Sequence, residues 1–334
     1  MLHRPSHQYP LDCEYQQTWS PELFEQHLSS VADHVPLQLL YWPELNQRGI
    51  TAYLRRDDKL PLASGNKFYK LYYNLLNARQ QGCDTLVSFG GAYSNHIYAL
   101  AGVSKALGLN SVGIIRGYKP KKLSPTLSDA VDFGMKIHFL GKKDYGRKDI
   151  RPLLPILKAL SGKYYLIPEG GENLAGVRAC AAIAQSTARQ LKEPYTLCSA
   201  VGTGSTLAGL IAGSSASTKL LGISVLKGED SLSAKVREWL NLLGIDSHSP
   251  SADWNIETGF HHGGYAKISP ELLRFMSEFE QRNHLLLDPV YTVKMLWAIE
   301  TLAKQGYWAK DSRVVAIHSG GLQGRRGFDL PVQP

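Results

Sequence analysis

The turn AVGTGST at residues 200–206 joins a predicted strand, Tyr195–Ala200, to a predicted helix, Ser205–Ala212. Glycines let a backbone approach an anion closely, and successive N–H groups at a helix start form a nest for it. The turn lacks the lysine that ends a Walker A loop, and the glycine spacing does not match the dinucleotide pattern G-x-G-x-x-G. We therefore predict a cup for one phosphate on a small cofactor, with a purely structural turn as the alternative. The residues of this phosphate cup are Gly202, Thr203, Gly204, Ser205 and Thr206.

On both sides of the phosphate cup, short β-branched runs alternate with helical segments bounded by Gly, Pro or Ser. The predicted strands are Thr85–Phe89, Ser111–Arg116, Lys136–Leu140, Tyr164–Ile167, Tyr195–Ala200, Lys219–Val225 and Arg313–His318. The predicted helices are Ser94–Leu107, Ser124 to near Gly134, Ile150–Leu160, Leu174–Leu191, Ser205–Ala212, Ser231–Leu243, Pro270–Gln281 and Val293–Lys304. This order indicates an α/β fold with parallel sheets flanked by helices, in which ligands sit beyond the carboxyl ends of the strands.

The composition is that of an ordinary globular protein. With 43% hydrophobic and 20% charged residues in 334, it excludes disorder, collagen-like repeats and a disulfide scaffold. The length predicts two domains with a cleft between them. A net charge of +8 raises the possibility of nucleic-acid binding, but the basic residues are scattered, so we expect a solvated face and no nucleic-acid partner.

The cysteines and the apolar segments argue against a metal site and a membrane. The four cysteines, Cys13, Cys83, Cys180 and Cys198, have no C-x-x-C spacing, so we expect free thiols in a reducing cytoplasm and no metal. No secretion signal is recognisable at the N-terminus. The uncharged stretches Leu86–Ser104 and Pro194–Thr218 are broken by Gly, Ser and Thr, so neither is predicted to span a membrane.

Two further motifs carry reactive or anion-binding side chains. Lys67, in Ser64-Gly65-Asn66-Lys67, is predicted at a helix start, where the dipole lowers the pKa of the ammonium and favours a free amine that can form a Schiff base. Ser94, Asn95 and His96 follow the strand Thr85–Phe89 and begin the next helix. Backbone N–H groups at that position can bind a carboxylate, and Asn95 can hydrogen-bond a ring hydroxyl.

Five motifs in order resemble one known family. They are Gly65-Asn66-Lys67, Ser94-Asn95-His96, the phosphate cup, Leu287-Asp288-Pro289-Val290-Tyr291 and His318-Ser319-Gly320-Gly321. Together they are similar to the 1-aminocyclopropane-1-carboxylate (ACC) deaminase and D-cysteine desulfhydrase family of pyridoxal-phosphate enzymes, which have the tryptophan synthase β-like fold, called fold type II. The resemblance runs from about Thr51 to Gly327.

The resemblance implies roles for the residues that match the family motifs. Lys67 would form the covalent link to the cofactor and shuttle the α-proton, while Lys70 and the phosphate cup would hold the phosphate. Asn95 would bond the ring's 3-hydroxyl. Ser94 would bind the substrate carboxylate or assist proton transfer.

Three more roles follow from the same resemblance. Tyr291 and Tyr265 match the family's tyrosine pair near the reacting carbon, and which of them is the acid-base residue stays open. The adjacent His261 and His262 are a poor chelate, so they do not change the expectation of no metal. Ser319 would face the pyridine nitrogen, where a hydroxyl, unlike an Asp, cannot hold the ring protonated. A weaker electron sink favours expulsion of a β-leaving group over racemisation.

Tyr93 stands where a Gln is common in the family, which leaves the shape of the carboxylate pocket open. Two other positions depart from the ACC deaminase pattern itself, which has Glu where this sequence has Thr292 and Leu where it has Ser319. We therefore predict a D-cysteine desulfhydrase-like lyase that releases pyruvate, ammonia and sulfide from a small amino acid. ACC deaminase activity is one alternative, and a catalytically silent protein that still binds pyridoxal phosphate is the other.

The same placement predicts the domain organisation. A small domain at residues 69–182 would lie beside a large domain made of residues 1–68 and 183–334, with the cofactor in the cleft. Lys67 lies at the junction, so closure of the domains could exclude water. The resemblance also implies a homodimer.

Overall fold

The structure is a computed structural model that describes residues 21–60, 63–146, 151–159, 162–228, 231–246 and 252–331. Its helices are α1 (Pro21–Asp33), α2 (Pro43–Asn46), α3 (Asn66–Gln80), α4 (Asn95–Ala106), α5 (Pro125–Asp132), α6 (Lys142–Gly146), α7 (Leu154–Lys158), α8 (Leu174–Gln190), α9 (Ser205–Ala212), α10 (Leu232–Leu242), α11 (Pro270–Asn283) and α12 (Thr292–Lys304). Its strands are β1 (Leu37–Leu39), β2 (Thr51–Arg55), β3 (Thr85–Gly90), β4 (Asn110–Arg116), β5 (Lys136–Leu140), β6 (Tyr164–Ile167), β7 (Tyr195–Val201), β8 (Thr218–Ser224), β9 (Asp253–Glu257) and β10 (Arg313–Ile317).

The strands form two sheets. The larger sheet has the order β1-β2-β10-β7-β8-β9, and all its pairs are parallel except the edge pair β1-β2. The smaller sheet has the order β5-β4-β3-β6 and is parallel throughout. The parallel α/β fold predicted from the alternation is therefore confirmed. The smaller sheet lies wholly within residues 85–167, while the exact domain limits 1–68, 69–182 and 183–334 stay a prediction.

Apolar strands account for the layered core. Every residue of β3 is buried, as expected for a central strand covered on both faces. One continuous apolar cluster joins α3, α4, α8 and α9 to both sheets. A second covers the opposite face of the larger sheet with α11 and α12, and a third covers the opposite face of the smaller sheet.

The predicted helix Ile150–Leu160 is wrong in extent. The described part of it is a 3-10 turn at Arg151–Leu153 followed by the short helix α7, and Ile150 and Leu160 lie outside the described residues. Pro155 explains the break, because its nitrogen has no hydrogen to donate to a preceding carbonyl. The alternation pattern also did not predict β1, β2, β9, α1, α2 or α6.

Parallel strands direct their carboxyl ends to one edge of each sheet. β3 leads into the turn before α4, β6 into Glu169-Gly170-Gly171, β7 into the phosphate cup and β10 into His318-Ser319-Gly320. These four turns position the residues of the candidate site.

Candidate active site

Lys67 is placed by a close contact between two turns. Gly65 precedes α3 with φ 72°, its N–H donates to the carbonyl of Asp57 (2.8 Å), and the N–H of Asn66 donates to the carbonyl of Ser319 (3.3 Å). A Cβ at position 65 would lie 1.7 Å from that Ser319 oxygen, so only glycine fits there. The start of α3 is thereby fixed against the turn that follows β10.

The amine of Lys67 is half-buried and lies near a second cation. Its Nζ donates to the carbonyl of Gly170 (3.2 Å), which lies in the turn after β6. Burial, and then the positive charge of Lys70, lower the pKa of Lys67 to about 7. A large fraction of this lysine is therefore a neutral, nucleophilic amine near neutral pH, as its predicted role requires.

Lys70 joins the same helix to the phosphate cup. It lies one turn after Lys67, is 3% exposed, and its Nζ donates to the hydroxyl of Ser205 (2.7 Å). Burial lowers the pKa of Lys70. Among the described residues, neither Lys67 nor Lys70 forms an ion pair, so the two ammonium groups face a site without a compensating carboxylate salt bridge.

The phosphate cup has the geometry expected of an anion site. Gly204 caps α9, and the first residue of that helix is Ser205, so its first N–H groups point into the cup. The hydroxyls of Thr203 and Ser205 lie 3.1 Å apart, and Asn66 donates to the hydroxyl of Thr206 (3.1 Å). Backbone N–H groups, hydroxyls and one buried ammonium are the donors that a phosphate monoester accepts.

His96 is a buried polar residue of the Ser94-Asn95-His96 motif, for which the sequence predicts no role of its own. The hydroxyl of Ser88 donates to the carbonyl of Ile167 (2.7 Å), so it accepts a hydrogen bond from His96 Nε2 (2.8 Å). His96 is 2% exposed, and its Nδ1 has no hydrogen-bond partner among the described residues. Burial, and then Lys67 and Lys70, hold the pKa of His96 well below its usual value.

Ser94 and Asn95 begin the helix after β3, as predicted. The hydroxyl of Ser94 caps α4 by accepting from the N–H of Ile97 (3.2 Å), a contact within its own turn. Asn95 reaches further: its Oδ1 accepts from Nε2 of Gln323 (2.5 Å), near the C-terminus. Gln323 is a second residue that the sequence patterns did not single out.

The two predicted tyrosines lie together. The rings of Tyr265 and Tyr291 meet edge to face with their centroids 6.1 Å apart. Tyr265 is 51% exposed, whereas burial, and then Tyr265, raise the pKa of Tyr291 well above its usual value. Tyr291 also lies close to the phosphate cup, because a Cβ on Gly202 would be 3.6 Å from its ring.

Two buried charges hold these tyrosines in place. Asp288 caps α12 by accepting from the N–H groups of Val290, Tyr291 and Thr292 at 2.7–3.0 Å. Lys294 is fully buried, and its Nζ donates to the carbonyl of Gly264 (2.7 Å), next to Tyr265. The sequence patterns do not single out Lys294, because its partner, the carbonyl of Gly264, lies 30 residues away along the chain.

Ser319 lies half-buried in the turn after β10. The neighbouring His318 is fully buried; its Nε2 donates to the carbonyl of Leu286 (2.8 Å) and its Nδ1 accepts from the N–H of Gly320 (3.2 Å). His318 thus fixes the turn after β10, and this turn contacts the start of α3. Ser319 therefore lies next to the residues that immediately precede Lys67.

The described part of the chain holds no group of three or more His, Cys, Asp or Glu side chains arranged to bind a metal ion. His261 accepts from the N–H of Gly263 (3.0 Å), and His262 packs edge to face on Trp297. None of the described helices combines the length and the apolarity that crossing a membrane requires.

Known proteins are similar to this chain over most of its length. The family model described as pyridoxal-phosphate dependent enzyme matches residues 31–320. A putative 1-aminocyclopropane-1-carboxylate deaminase of Pyrococcus abyssi is 32% identical over 302 residues, which cover 86% of this chain and 89% of that protein. A bifunctional D-cysteine desulfhydrase/1-aminocyclopropane-1-carboxylate deaminase, mitochondrial, of Arabidopsis thaliana is 30% identical, covering 92% of this chain and 82% of that protein.

A solved structure gives the same result. The crystal structure of an ACC deaminase homologue superposes with a TM-score of 0.75 at 28% identity, covering 88% of this chain and 91% of that chain. The expected fold type II is confirmed, and the phosphate cup beside a nucleophilic lysine fits pyridoxal phosphate. This chain therefore belongs to the family of pyridoxal-phosphate-dependent enzymes.

Proposed function

We propose that this enzyme catalyses β-elimination from a small amino acid with a thiolate leaving group, D-cysteine or a close analogue. The Cα–H and Cβ–S bonds break and the sulfur leaves as hydrogen sulfide. The enamine that remains tautomerises to an imine, and addition of water to this imine releases pyruvate and ammonia. The observation that carries this proposal is the half-buried amine of Lys67, with a pKa lowered to about 7, beside the phosphate cup.

The proposed anchor for the cofactor is the phosphate end. The residues proposed to hold the phosphate are Lys70, Gly202, Thr203, Gly204, Ser205 and Thr206. Because Lys70 is buried without an ion pair among the described residues, a dianionic phosphate would supply the charge that balances it. Lys67 lies one helical turn away, so its amine is placed for the covalent link and, once released, for removal of the α-proton.

Bound pyridoxal phosphate supplies a conjugated ring that withdraws electrons from the α-carbon of the amino acid. Ser319 is proposed to contact the ring nitrogen, and its neutral hydroxyl would leave that nitrogen without a proton. The electron pair from the broken Cα–H bond is then stabilised only weakly, which favours prompt loss of the leaving group from Cβ.

Ser94 and Asn95 are proposed to face the substrate and the ring, respectively. The start of α4 offers backbone N–H groups to the substrate carboxylate, with the hydroxyl of Ser94 as a further donor. Tyr93 is 49% exposed and lies against Gly327, where a Cβ would be 2.9 Å from its ring. We propose that this ring, in place of the family's usual Gln, forms one wall of the carboxylate pocket.

Tyr291 and Tyr265 are proposed to serve the leaving group. Because burial raises the pKa of Tyr291, its hydroxyl keeps its proton at neutral pH and can donate a hydrogen bond to a departing thiolate. Tyr265 is exposed and its ring contacts that of Tyr291. We propose that the proton of Tyr291 exchanges with water by way of the hydroxyl of Tyr265.

ACC deamination is the second candidate, because relatives with that name are similar to this chain over most of its length. Position 292 argues against it. Thr292 is fully buried, and its hydroxyl has no partner among the described residues, so it supplies no carboxylate where ACC deaminases have Glu. A silent cofactor-binding protein is the third candidate, and the presence of both Lys67 and Ser94 argues against it.

Product assays on the purified protein test the proposal. Pyruvate release should be measured side by side from D-cysteine, L-cysteine and ACC, with sulfide release as a second readout. We expect pyruvate and sulfide from D-cysteine. Pyruvate from ACC alone would support the second candidate, and no turnover of any of them by a yellow protein would support the third.

A chemical test addresses the cofactor separately from the substrate. The protein should be yellow, and borohydride should bleach it and add the mass of the reduced cofactor to the peptide that contains Lys67. The matched control is Lys67→Met, which should remain unlabelled on that peptide. A colourless protein that stays colourless with added pyridoxal phosphate would end the proposal.

We also propose that the protein acts in the cytoplasm as a homodimer, with the small domain at residues 69–182 closing over the cofactor on the large domain at 1–68 and 183–334. The resemblance to the family supports this proposal. Light scattering after size-exclusion chromatography would measure the oligomeric state.

A further inference from the structure

Asn95 is held from the far end of the chain. Its Oδ1 accepts a hydrogen bond from Nε2 of Gln323 (2.5 Å), 228 positions later in the sequence. A Cβ on Gly321 would lie 2.3 Å from Asn95 Nδ2, so the asparagine side chain rests directly on the backbone of this glycine. The turn after β10 therefore contacts Asn95 with a glycine on one side and a hydrogen-bond donor on the other.

The segment that carries Gln323 is itself anchored to both halves of the molecule. Leu322–Phe328 forms a 3-10 turn after β10. Within it, Arg325 is 1% exposed and is paired with Glu280 of α11 (2.5 Å). The next residue, Arg326, is paired with Asp129 of α5, beside the smaller sheet. Because neighbouring arginines hold it from opposite sides, Gln323 has a defined position relative to α4.

The hydrogen bond fixes which end of the Asn95 amide is free. An asparagine amide has one acceptor end and one donor end. Since Gln323 occupies the oxygen, the NH₂ group is the end left to face a ligand. A ring hydroxyl that ionises to an oxyanion is stabilised by a donor and repelled by an amide oxygen.

We propose that Gln323 is a positioning residue that orients the Asn95 amide so that its NH₂ group donates to the ring oxygen of the bound cofactor. The inference rests on the proposed function, because it takes Asn95 as the residue that meets the ring hydroxyl. It adds a specific partner, and it makes the C-terminal segment part of the cofactor site.

Two substitutions at position 323 test the orientation in the holoenzyme. Gln323→Met keeps the length and removes the donor. Gln323→Glu, which is ionised at pH 8, accepts instead of donating, so it would turn the Asn95 amide and direct its oxygen at the ring. The readouts are the dissociation constant of pyridoxal phosphate and the pH at which the visible absorption band of the bound cofactor changes.

We expect both readouts to rank the variants in the same order, with a larger change in Gln323→Glu than in Gln323→Met. Loss of one oriented hydrogen bond should weaken cofactor binding about 2- to 12-fold in Gln323→Met, and reversal should weaken it more in Gln323→Glu. Without a donor, the ring oxygen holds the neighbouring proton more tightly, so the pH of the spectral change should rise by about half a unit to one unit. In an Asn95→Ala background, Gln323→Met should have no further effect.

Arg189→Ala is the control, because it breaks an exposed ion pair with Asp33 and contacts neither Asn95 nor Gln323. It should leave both readouts unchanged. Arg326→Ala should instead move the spectral pH in the same direction as Gln323→Met, because Arg326 Nε donates to the carbonyl of Gln323 (3.3 Å). If Gln323→Met and Gln323→Glu match the wild type in both readouts while the wild type is yellow, the inference is wrong and the proposed function stands. If the wild type does not bind pyridoxal phosphate, both are wrong.

Discussion

Two buried polar clusters use side chains of the same helix, α3, and they balance their charge in opposite ways. In the first, the paired cluster, Arg55 donates to Asp57 (3.1 Å), and Asp57 also accepts from the hydroxyl of Tyr69 (2.7 Å). The other guanidinium nitrogens donate to Ser186 Oγ and to the carbonyl of Ala32. Both charged side chains are 0% exposed.

The second, the like-charged cluster, consists of Lys67, Lys70 and His96. It places two lysines next to each other and leaves His96 Nδ1 without a partner among the described residues. A protein interior normally satisfies every buried polar group, as the paired cluster does. The contrast indicates that the like-charged cluster is suited to a ligand that carries both a negative charge and a carbonyl group able to react with an amine, as proposed above for pyridoxal phosphate.

The largest expected effect comes from removing the reactive amine of the like-charged cluster. Lys67→Met should lower kcat for pyruvate release on the order of 10⁴-fold, because covalent attachment and proton transfer are both lost. The same variant should leave the unfolding free energy of the apoprotein unchanged or higher, because it removes a repelled charge. Urea unfolding checks the second part, and a loss of apoprotein stability would contradict the contrast.

Removing one partner of the paired cluster should have the next largest effect, this time on stability. Asp57→Ala leaves the guanidinium of Arg55 buried without its counter-charge and should cost about 3–5 kcal/mol of unfolding free energy. Urea titration of the apoprotein measures this. If Asp57→Ala lowers the unfolding free energy by less than about 1 kcal/mol, the buried guanidinium of Arg55 does not depend on this carboxylate.

The pH dependence of apoprotein stability measures the contribution of the like-charged cluster separately from that of the paired cluster. The pKa of Lys67 is about 7 in the folded state, against about 10.4 for an unperturbed lysine, so between these values the unfolded state binds more protons. Stability due to this group therefore rises with pH, by at most about 1.4 kcal/mol per unit. Subtracting the unfolding free energy of Lys67→Met from that of the wild type at each pH between 7 and 9 isolates this contribution. If the two unfolding free energies change with pH in parallel, the pKa of Lys67 is not lowered.

The smallest effect is expected at an exposed ion pair, which serves as the baseline for both clusters. Arg189 and Asp33 are paired at 2.8 Å, but their side chains are 43% and 36% exposed. Arg189→Ala should change the unfolding free energy by about 0.2–1 kcal/mol, less in 0.5 M salt. A larger loss that is insensitive to salt would mean that this pair supports the packing of α8 on α1.

The sequence was informative where function depends on local pattern. Glycine spacing and helix starts marked Lys67 and the phosphate cup as candidates, because a turn and the helix that follows it are built from adjacent residues, and the family resemblance supplied their predicted roles. The βα alternation likewise predicted most elements from β3 onward. The edge pair β1-β2 was missed, because β2 ends in a buried arginine, and Arg55 is stabilised by Asp57 and Ser186 rather than by its own strand.

The residues that sequence reasoning missed have their partners far along the chain. His96 depends on Ser88 and on a carbonyl at position 167, Lys294 on a carbonyl at 264, and Gln323 on Asn95. No single-sequence pattern marks such pairs, because each member resembles an ordinary buried or surface polar residue until the fold brings the two together.

The position of β10 has a consequence for biosynthesis. This strand, Arg313–Ile317, lies between β2 and β7 and is parallel to both, although it comes last in sequence among the described strands. On the ribosome, β2 and β7 have no shared neighbour until about residue 317 has emerged. The start of α3, which rests on the turn after β10, is also unsupported until then. Lys67 can therefore reach its final environment only after β10 and the turn that follows it have left the ribosome, so this environment is completed late in synthesis.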